Sequence, residues 1–252
     1  MMKTGILITA RLGSTRLKQK HMLKVREKPI INYLIERIRR EFKEEIAQNK
    51  IEVVIATSDE ADNLTFERLG IENLKVFYGS IHNIPLRHFQ AVDYYGLSHA
   101  ISVDGDDILC SVTAMRAIYN ALLNGEDYVK TEGLPLGMNA MGYSRSFLES
   151  SVKSHLNDTL ETGWGRIFNT SVLKTIEMGL TKDERLRFTL DYEEDYKFLG
   201  CIIELLGDAV YSATDQEIVA LVFKDDLWRL NENVCKEYWQ NFSKQRDQES
   251  NK

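Results

Sequence analysis

Two charged clusters could do chemistry in this chain. The first is basic. From Arg11 to Lys28 there are seven Lys or Arg residues and one acid, Glu27, although the whole chain has a formal net charge of −6. Within that run, Arg11, Arg16 and Lys20 accompany Ala10, Gly13, Ser14 and Thr15. Guanidinium, ammonium and backbone N–H groups are what a polyphosphate needs. A solvated basic loop ahead of an amphipathic helix would have the same composition.

The second cluster is acidic and has two parts. Val103-Asp-Gly-Asp-Asp107 gathers three carboxylates around one glycine. Magnesium takes one or two carboxylates and fills its other positions with water and phosphate oxygen, so the acids of this segment, Asp104 among them, could approach a metal closely. A plain Asp/Gly surface turn is the alternative. The other part is Arg187-Phe-Thr-Leu-Asp191-Tyr-Glu-Glu-Asp195. Asp191 stands where a strand-like run gives way to a helix-like one, and pattern alone favours a helix N-cap there.

Parallel α/β elements are needed to bring these clusters together. Short apolar runs at Gly5–Ala10, Ile51–Ala56, Lys75–Tyr78 and Ala100–Val103 read as strands. Helical spacing recurs between them: from Pro29, at a first turn, to about Ala47, over 60–69 with Gly70 as the stop, over 86–95, and over 112–123. Alternation of this kind predicts an α/β fold with a doubly wound, mostly parallel, Rossmann-like sheet and a smaller substrate lobe. The second half predicts a strand at Arg187–Leu190, a helix near Glu193–Leu206 and two amphipathic helices. A single domain over 1–242 is the simplest organisation, with a nucleotide half to about 130, a substrate half beyond it, and a disordered polar tail over 243–252.

Composition excludes several classes. With 252 residues, 43% of them hydrophobic, the chain can bury a sizeable core. Its acidic balance argues against a general nucleic-acid binder. Three scattered cysteines, Cys110, Cys201 and Cys235, argue against a zinc ribbon or disulfide framework and suit a reducing cytoplasm. No apolar run is long enough for a signal peptide or membrane span. GxxxxGK[ST] and GxGxxG are both absent. The five histidines, which show no HExxH spacing, read as ordinary surface or core residues.

Ala10-Arg11-Leu-Gly-Ser14-Thr15-Arg16-Leu17, followed by Lys20, resembles the RxGSTRLPxK signature of sugar nucleotidyltransferases. The likeness is to the cytidylyltransferase branch that includes CMP-Kdo synthetases and SpsF-type spore-coat polysaccharide proteins. Lys18 replaces the proline of that signature. Gly105-Asp106 resembles the family's GDxP metal motif without its proline, and Arg187–Asp195 resembles R-x-T-V-D-x-P-E-D. Ala56-Thr57-Ser58-Asp59 resembles an ATSD segment near the nucleotide, although Ser58 or Asp59 could equally cap a helix. Gly79–Ala91 resembles GSxxDVLxRYxxAA. Its Arg87 would reach nucleotide phosphates or base, or serve in a structural ion pair.

The resemblance implies transfer of CMP from CTP to a sugar acid, with release of pyrophosphate, for surface polysaccharide synthesis. It implies Mg2+ held by Asp106 and Asp191, and a triphosphate held by Arg11, Arg16 and Lys20. The stretch Asp158–Arg166 departs from the family pattern. Glu161, Trp164 and Arg166 there are expected to meet the acceptor sugar, with Arg166 either clamping its carboxylate or pairing with Glu161 to hold the turn. A homodimer through the apolar C-terminal helices is left open.

Overall fold

The computed structural model describes residues 2–180 and 183–234, together with Tyr238, Lys244 and Gln248. The expected tail falls outside the described residues apart from the last two.

The sheet begins with β1, Thr4–Thr9, whose side chains alternate between two layers. Ile6 and Ile8 face one apolar cluster and Leu7 the other. A tight hairpin follows, β2 Lys24–Val25 and β3 Lys28–Pro29. Arg26 and Glu27 both take positive φ (47° and 65°) at its turn, as a two-residue hairpin requires. Pro29 was expected in the first turn of a helix; it lies instead in this hairpin, and α1 starts at Ile31–Glu41. Phe42 interrupts the expected long helix, which resumes as α2, Lys43–Ala47.

β4, Ile51–Ser58, is buried along its whole length. A 3₁₀ segment over Ala61–Leu69 ends at Gly70, whose φ is +64°. Then come β5 Leu74–Gly79, α3 Ile84–Tyr94, β6 His99–Asp104 and α4 Val112–Leu123. Asn83 and Ser111 cap α3 and α4 by accepting from backbone N–H groups three residues on. The sheet continues with β7 Tyr128–Glu132 and β8 Met141–Ser144, and after α5, Arg145–Val152, with β9 Leu173–Glu177. The chain closes with α6 Glu193–Leu206 and α7 Asp215–Lys224.

Strand order is β5-β4-β1-β6-β8-β7-β9, parallel except where β8 runs antiparallel between β6 and β7. Helices α1 and α4 cover one face; α3 and α5, with Trp164 and Phe168, cover the other. The doubly wound, mostly parallel sheet therefore matches the expectation. It also runs across the expected boundary near residue 130, because β7 to β9 extend it.

A third apolar cluster joins Leu134, Met138, Leu186, Phe188 and Leu190 to α6 and α7. The strand expected at Arg187–Leu190 is an extended stretch with a single bridge, from Leu136 to Arg187. Arg187 to Leu190 are all buried, and the apolar Phe188 and Leu190 pack into this third cluster without a ladder. Leu227 and Trp228 belong to the same cluster, so they serve the chain's own core. Trp239 and Phe242 lie outside the described residues.

Candidate active site

The carboxyl ends of β1 and β6 lie side by side, and each opens into a charged loop. Gly105 lets the loops touch. Its N–H donates to the Thr9 carbonyl at 2.7 Å, and a β-carbon there would stand 2.8 Å from the Ala10 β-carbon. No larger residue fits without moving one loop. On the basic side, the Leu12 N–H donates to Asn63 Oδ1 at 2.8 Å, and Asn63 in turn donates to the Ser58 carbonyl and hydroxyl.

Ser58 thus braces the basic loop from behind. Thr57, Ser58 and Asp59, expected beside the nucleotide, do not line the cleft: Thr57 and Ser58 are buried at the end of β4, and Asp59 is exposed with its N–H on the Gly79 carbonyl. Neither Ser58 nor Asp59 caps the following helical segment, whose N-cap is Glu60.

A cleft of about 570 Å³ opens above these loops. Ala10, Arg11, Gly13, Ser14, Arg16 and Lys20 line it, as do Arg87, Asp104, Asp106 and Asp191. Gly13 has open space around it and is not among the positive-φ glycines, so the local backbone does not demand glycine there. Lys18 is exposed and lies away from the lining. A second cavity of about 550 Å³ adjoins, lined by Lys130, Met141, Arg166, Thr189 and Tyr238 among others. Arg16, Asp104, Asp106, Glu161, Trp164 and Asp191 border both spaces.

The acids meet on one lysine. Lys20 Nζ donates to Asp106 Oδ2 at 2.6 Å and to Asp191 Oδ1 at 3.0 Å. The sequence reading put Lys20 on the phosphates; the structure places it, buried, between the two carboxylates. Burial opposes its charge, but Asp106 and Asp191 outweigh that and raise its pKa. Burial likewise opposes the charged form of Asp106, yet Lys20 and His21 hold its carboxyl well below the usual range. Asp104 also feels Lys20, which lowers its pKa, but accepts no hydrogen bond from it. Burial, then the charges of Asp106 and Asp191, push it up to about 7. Arg16 also reaches Asp191, donating at 3.0 Å, and stacks over the Tyr192 ring.

Asp191 is held from behind. Arg187, fully buried, donates to Asp191 Oδ2 at 2.9 Å and to both oxygens of Asp195. Asp195 accepts from the N–H groups of Asp191 and Tyr192, and Asn231 donates to it at 2.9 Å. The N-cap of α6 is Tyr192, with Asp195 completing a capping box, so the capping expected of Asp191 falls to its neighbours.

The remaining expected residues divide. Arg87 lines the cleft, but its guanidinium donates to the carbonyls of Ser80 and Ile81, and burial, aided by Arg11, lowers its pKa to about 10. Glu161 pairs with Arg11 at 2.8 Å and with His82 at 2.7 Å, and all three line the cleft. Trp164 is nearly buried, its ring set edge-on against His88 at 5.4 Å. Arg166 donates to the carbonyls of Thr162 and Thr159, so it braces its own turn while lining the second cavity.

Sequence reasoning missed His21 and His82, which line the cleft, whereas His88 is the core residue expected of a histidine here. His21 Nε2 lies 2.8 Å from Asp106 Oδ1. His88 bridges the Thr9 and Tyr143 hydroxyls at 2.7 and 2.5 Å. The position of His21, one residue beyond Lys20, was the available signal for the first of these.

A parallel α/β sheet with a basic loop after its first strand and paired acids at its switch point defines a nucleotidyltransferase-type site. Residues 5–155 match the sequence pattern of the cytidylyltransferase family, and the chain belongs to it. It is 25% identical over 214 residues to the spore coat polysaccharide biosynthesis protein SpsF of Bacillus subtilis, covering 80% of this chain and 87% of that protein. It is 27% identical over 206 residues to an uncharacterized protein of Methanocaldococcus jannaschii, covering 78% and 81%. The fold resembles that of a cytidylyltransferase from Leptospira borgpetersenii, with a TM-score of 0.74 at 23% identity over 92% of this chain and 98% of the other.

Proposed function

We propose that the chain transfers CMP from CTP to a sugar acid and releases pyrophosphate, in the synthesis of a surface polysaccharide. One observation carries this reading: two adjoining cavities share the Asp106–Asp191 acids at their junction. Two substrates entering from opposite sides would meet there. The basic loop faces the first cavity, which suits a triphosphate; Arg166 and Thr189 face the second, which suits a polar acceptor. The SpsF relative supports the polysaccharide context.

The chain's own groups supply binding and orientation. Arg11 and Arg16 each pair with an acid across the cleft, so an incoming triphosphate competes with Glu161 and Asp191 for them. Those cations then neutralise the phosphates and the departing pyrophosphate. Lys20 holds Asp106 and Asp191 in place. Positioning the acceptor hydroxyl in line with the α-phosphorus accounts for much of the rate.

Magnesium fits this donor set. Two carboxylates already converge on one positive centre, Lys20 Nζ, at 2.6 and 3.0 Å. No group of three acid, histidine or cysteine side chains among the described residues is arranged to hold a metal, so water and phosphate would complete the shell, as magnesium prefers. Held by Asp106 and Asp191, the ion would neutralise α-phosphate charge and lower the pKa of the acceptor hydroxyl.

The test is pyrophosphate release with each of the four NTPs against sugar acids, sugar phosphates and polyol phosphates. Turnover with CTP and a sugar acid is expected. Turnover confined to another NTP, or to phosphorylated acceptors, would replace this reading.

A further inference from the structure

Lys130 stands in the middle of β7, an interior strand. Its Cα partners are Met141 on β8 and Thr175 on β9. The flanking Val129 and Thr131 are buried. A lysine at such a position gives up hydration and rotamer freedom, and charged residues there are ordinarily paired. Among the described residues Lys130 has no hydrogen bond or ion pair. Its ammonium lies 5.3 Å from the centroid of the Tyr128 ring. That ring is fixed in turn by stacking on Phe147 at 4.9 Å.

Strand alternation puts Lys130 on the face of Tyr128, the side covered by Trp164 and Phe168. The aromatic wall gives way there to the second cavity, which Lys130 lines with Met141, Thr189 and Arg166. Asp106 and Asp191 are already matched by Lys20, Arg16 and Arg187. Lys130, on the far wall, pairs with neither of these acids nor with Asp104, so its charge faces the cavity without a counter-charge among the described residues.

We propose that Lys130 binds the anionic group of the acceptor, a carboxylate or a phosphate, from the sheet side of the second cavity. This rests on the reading of that cavity as the acceptor lobe. Lysine acts as a point charge with rotatable donors, so it accepts either anion, and Tyr128 limits where the ammonium can go.

The experiment uses the full-length protein with magnesium and follows binding by ligand-observed NMR and calorimetry. The probes are CTP, a ulosonic acid, a hexose 1-phosphate and an uncharged methyl hexoside. CTP binding tests the underlying reading; if wild type does not bind CTP, that reading fails on its own account. With CTP bound, wild type should bind one of the two charged probes and not the methyl hexoside, and the one bound identifies the anion. Lys130→Met keeps the stem and removes the charge. It should weaken that probe by about 10-fold or more while leaving CTP affinity unchanged, and Lys130→Arg should recover part of the loss. Equal affinity of wild type and Lys130→Met for the charged probe, binding of the methyl hexoside alone, or binding of no acceptor probe by a protein that binds CTP would each overturn the proposal. A Lys130→Met protein that loses CTP affinity as well would also overturn it, since that outcome marks a structural role.

Discussion

The backbone N–H of Leu190 donates to the carbonyl of Asp106 at 2.9 Å. Each of these residues is a carrier for the site: Asp106 is itself one of the paired acids, and Leu190 immediately precedes the other. The separation of the two carboxylates is therefore set by the main chain and only then trimmed by Lys20. With the Gly105–Thr9 hydrogen bond, this ties three distant segments into one rigid floor.

Asp106→Asn and Asp191→Asn should each lower turnover by roughly 10²-fold or more while the protein stays folded. Steady-state pyrophosphate release at saturating magnesium, with circular dichroism as the folding control, measures this. Near-normal turnover in either variant would remove that carboxylate from the chemistry.

Gly105→Ala should damage the site and the fold together. The added methyl meets the Ala10 β-carbon at 2.8 Å and the Thr9 carbonyl oxygen at 3.0 Å. Overpacking of this kind costs about 1–3 kcal/mol. Urea denaturation reads the stability and calorimetry reads CTP affinity. An unchanged pair of values means the two loops can separate without consequence.

Asn63→Ala should weaken CTP binding although Asn63 does not line the cleft. It removes the acceptor for the buried Leu12 N–H and leaves that donor unpaired, at a cost of about 1–3 kcal/mol. Titration of the variant with CTP checks it; a loss of stability with CTP affinity intact would show that the brace does not reach the loop.

Asp195→Ala should cost about 3–5 kcal/mol, because it strips the buried Arg187 guanidinium of a partner. Glu193→Ala, two residues away and paired with Lys197 in solvent, should hardly move stability. Comparing the two denaturation midpoints is the measurement, and similar midpoints would falsify the claim that Arg187 depends on its anions.

His88 makes the fold acid-sensitive. Burial, with the nearby Arg87 charge, lowers its pKa from 6.5 to about 3. The unfolded chain binds a proton below about 6.5 that the folded chain refuses until much lower pH. Its contribution is therefore complete above pH 6.5 and is lost as pH falls toward 3, by up to about 1.4 kcal/mol per pH unit. His88→Gln should be less stable at pH 7 but should show a flatter fall between pH 6.5 and 4. An unaltered slope assigns the acid sensitivity to other groups.

Much of the architecture was legible because short apolar runs and helical spacing report burial directly. β1, β4, β5, β6, α4 and α6 lie where the pattern put them. The pattern failed where burial and hydrogen bonding part company. Phe188 and Leu190 alternate with polar residues as a strand would, yet their N–H groups go to single carbonyls of Leu136 and Asp106. β7 and β9 carry no clear strand signal because Lys130, Lys174 and Glu177 interrupt their apolar character, and β8 carries none because it is only four residues long with Gly142 inside it. In the site, the charged residues that line the cleft were readable from their types. Their pairing was not, since Lys20 reaches acids that are remote in sequence, and Ser58 acts through Asn63, which no spacing rule links to Leu12.

The two cavities draw their separate walls from different stretches of chain. Residues 10, 11, 13–15 and 20 line only the first cavity, which on the proposed function is the triphosphate side, while 130, 141, 163, 165, 166 and 189 line only the second. Substitutions confined to one wall should combine additively with those on the other, provided the residues that border both cavities are untouched. A lineage could therefore exchange one acceptor for another by altering β7 and the 163–166 turn, inheriting the nucleotide chemistry intact. The same partition offers a route for re-engineering: acceptor choice becomes a separable trait, open to selection in a library that never varies the loop after β1.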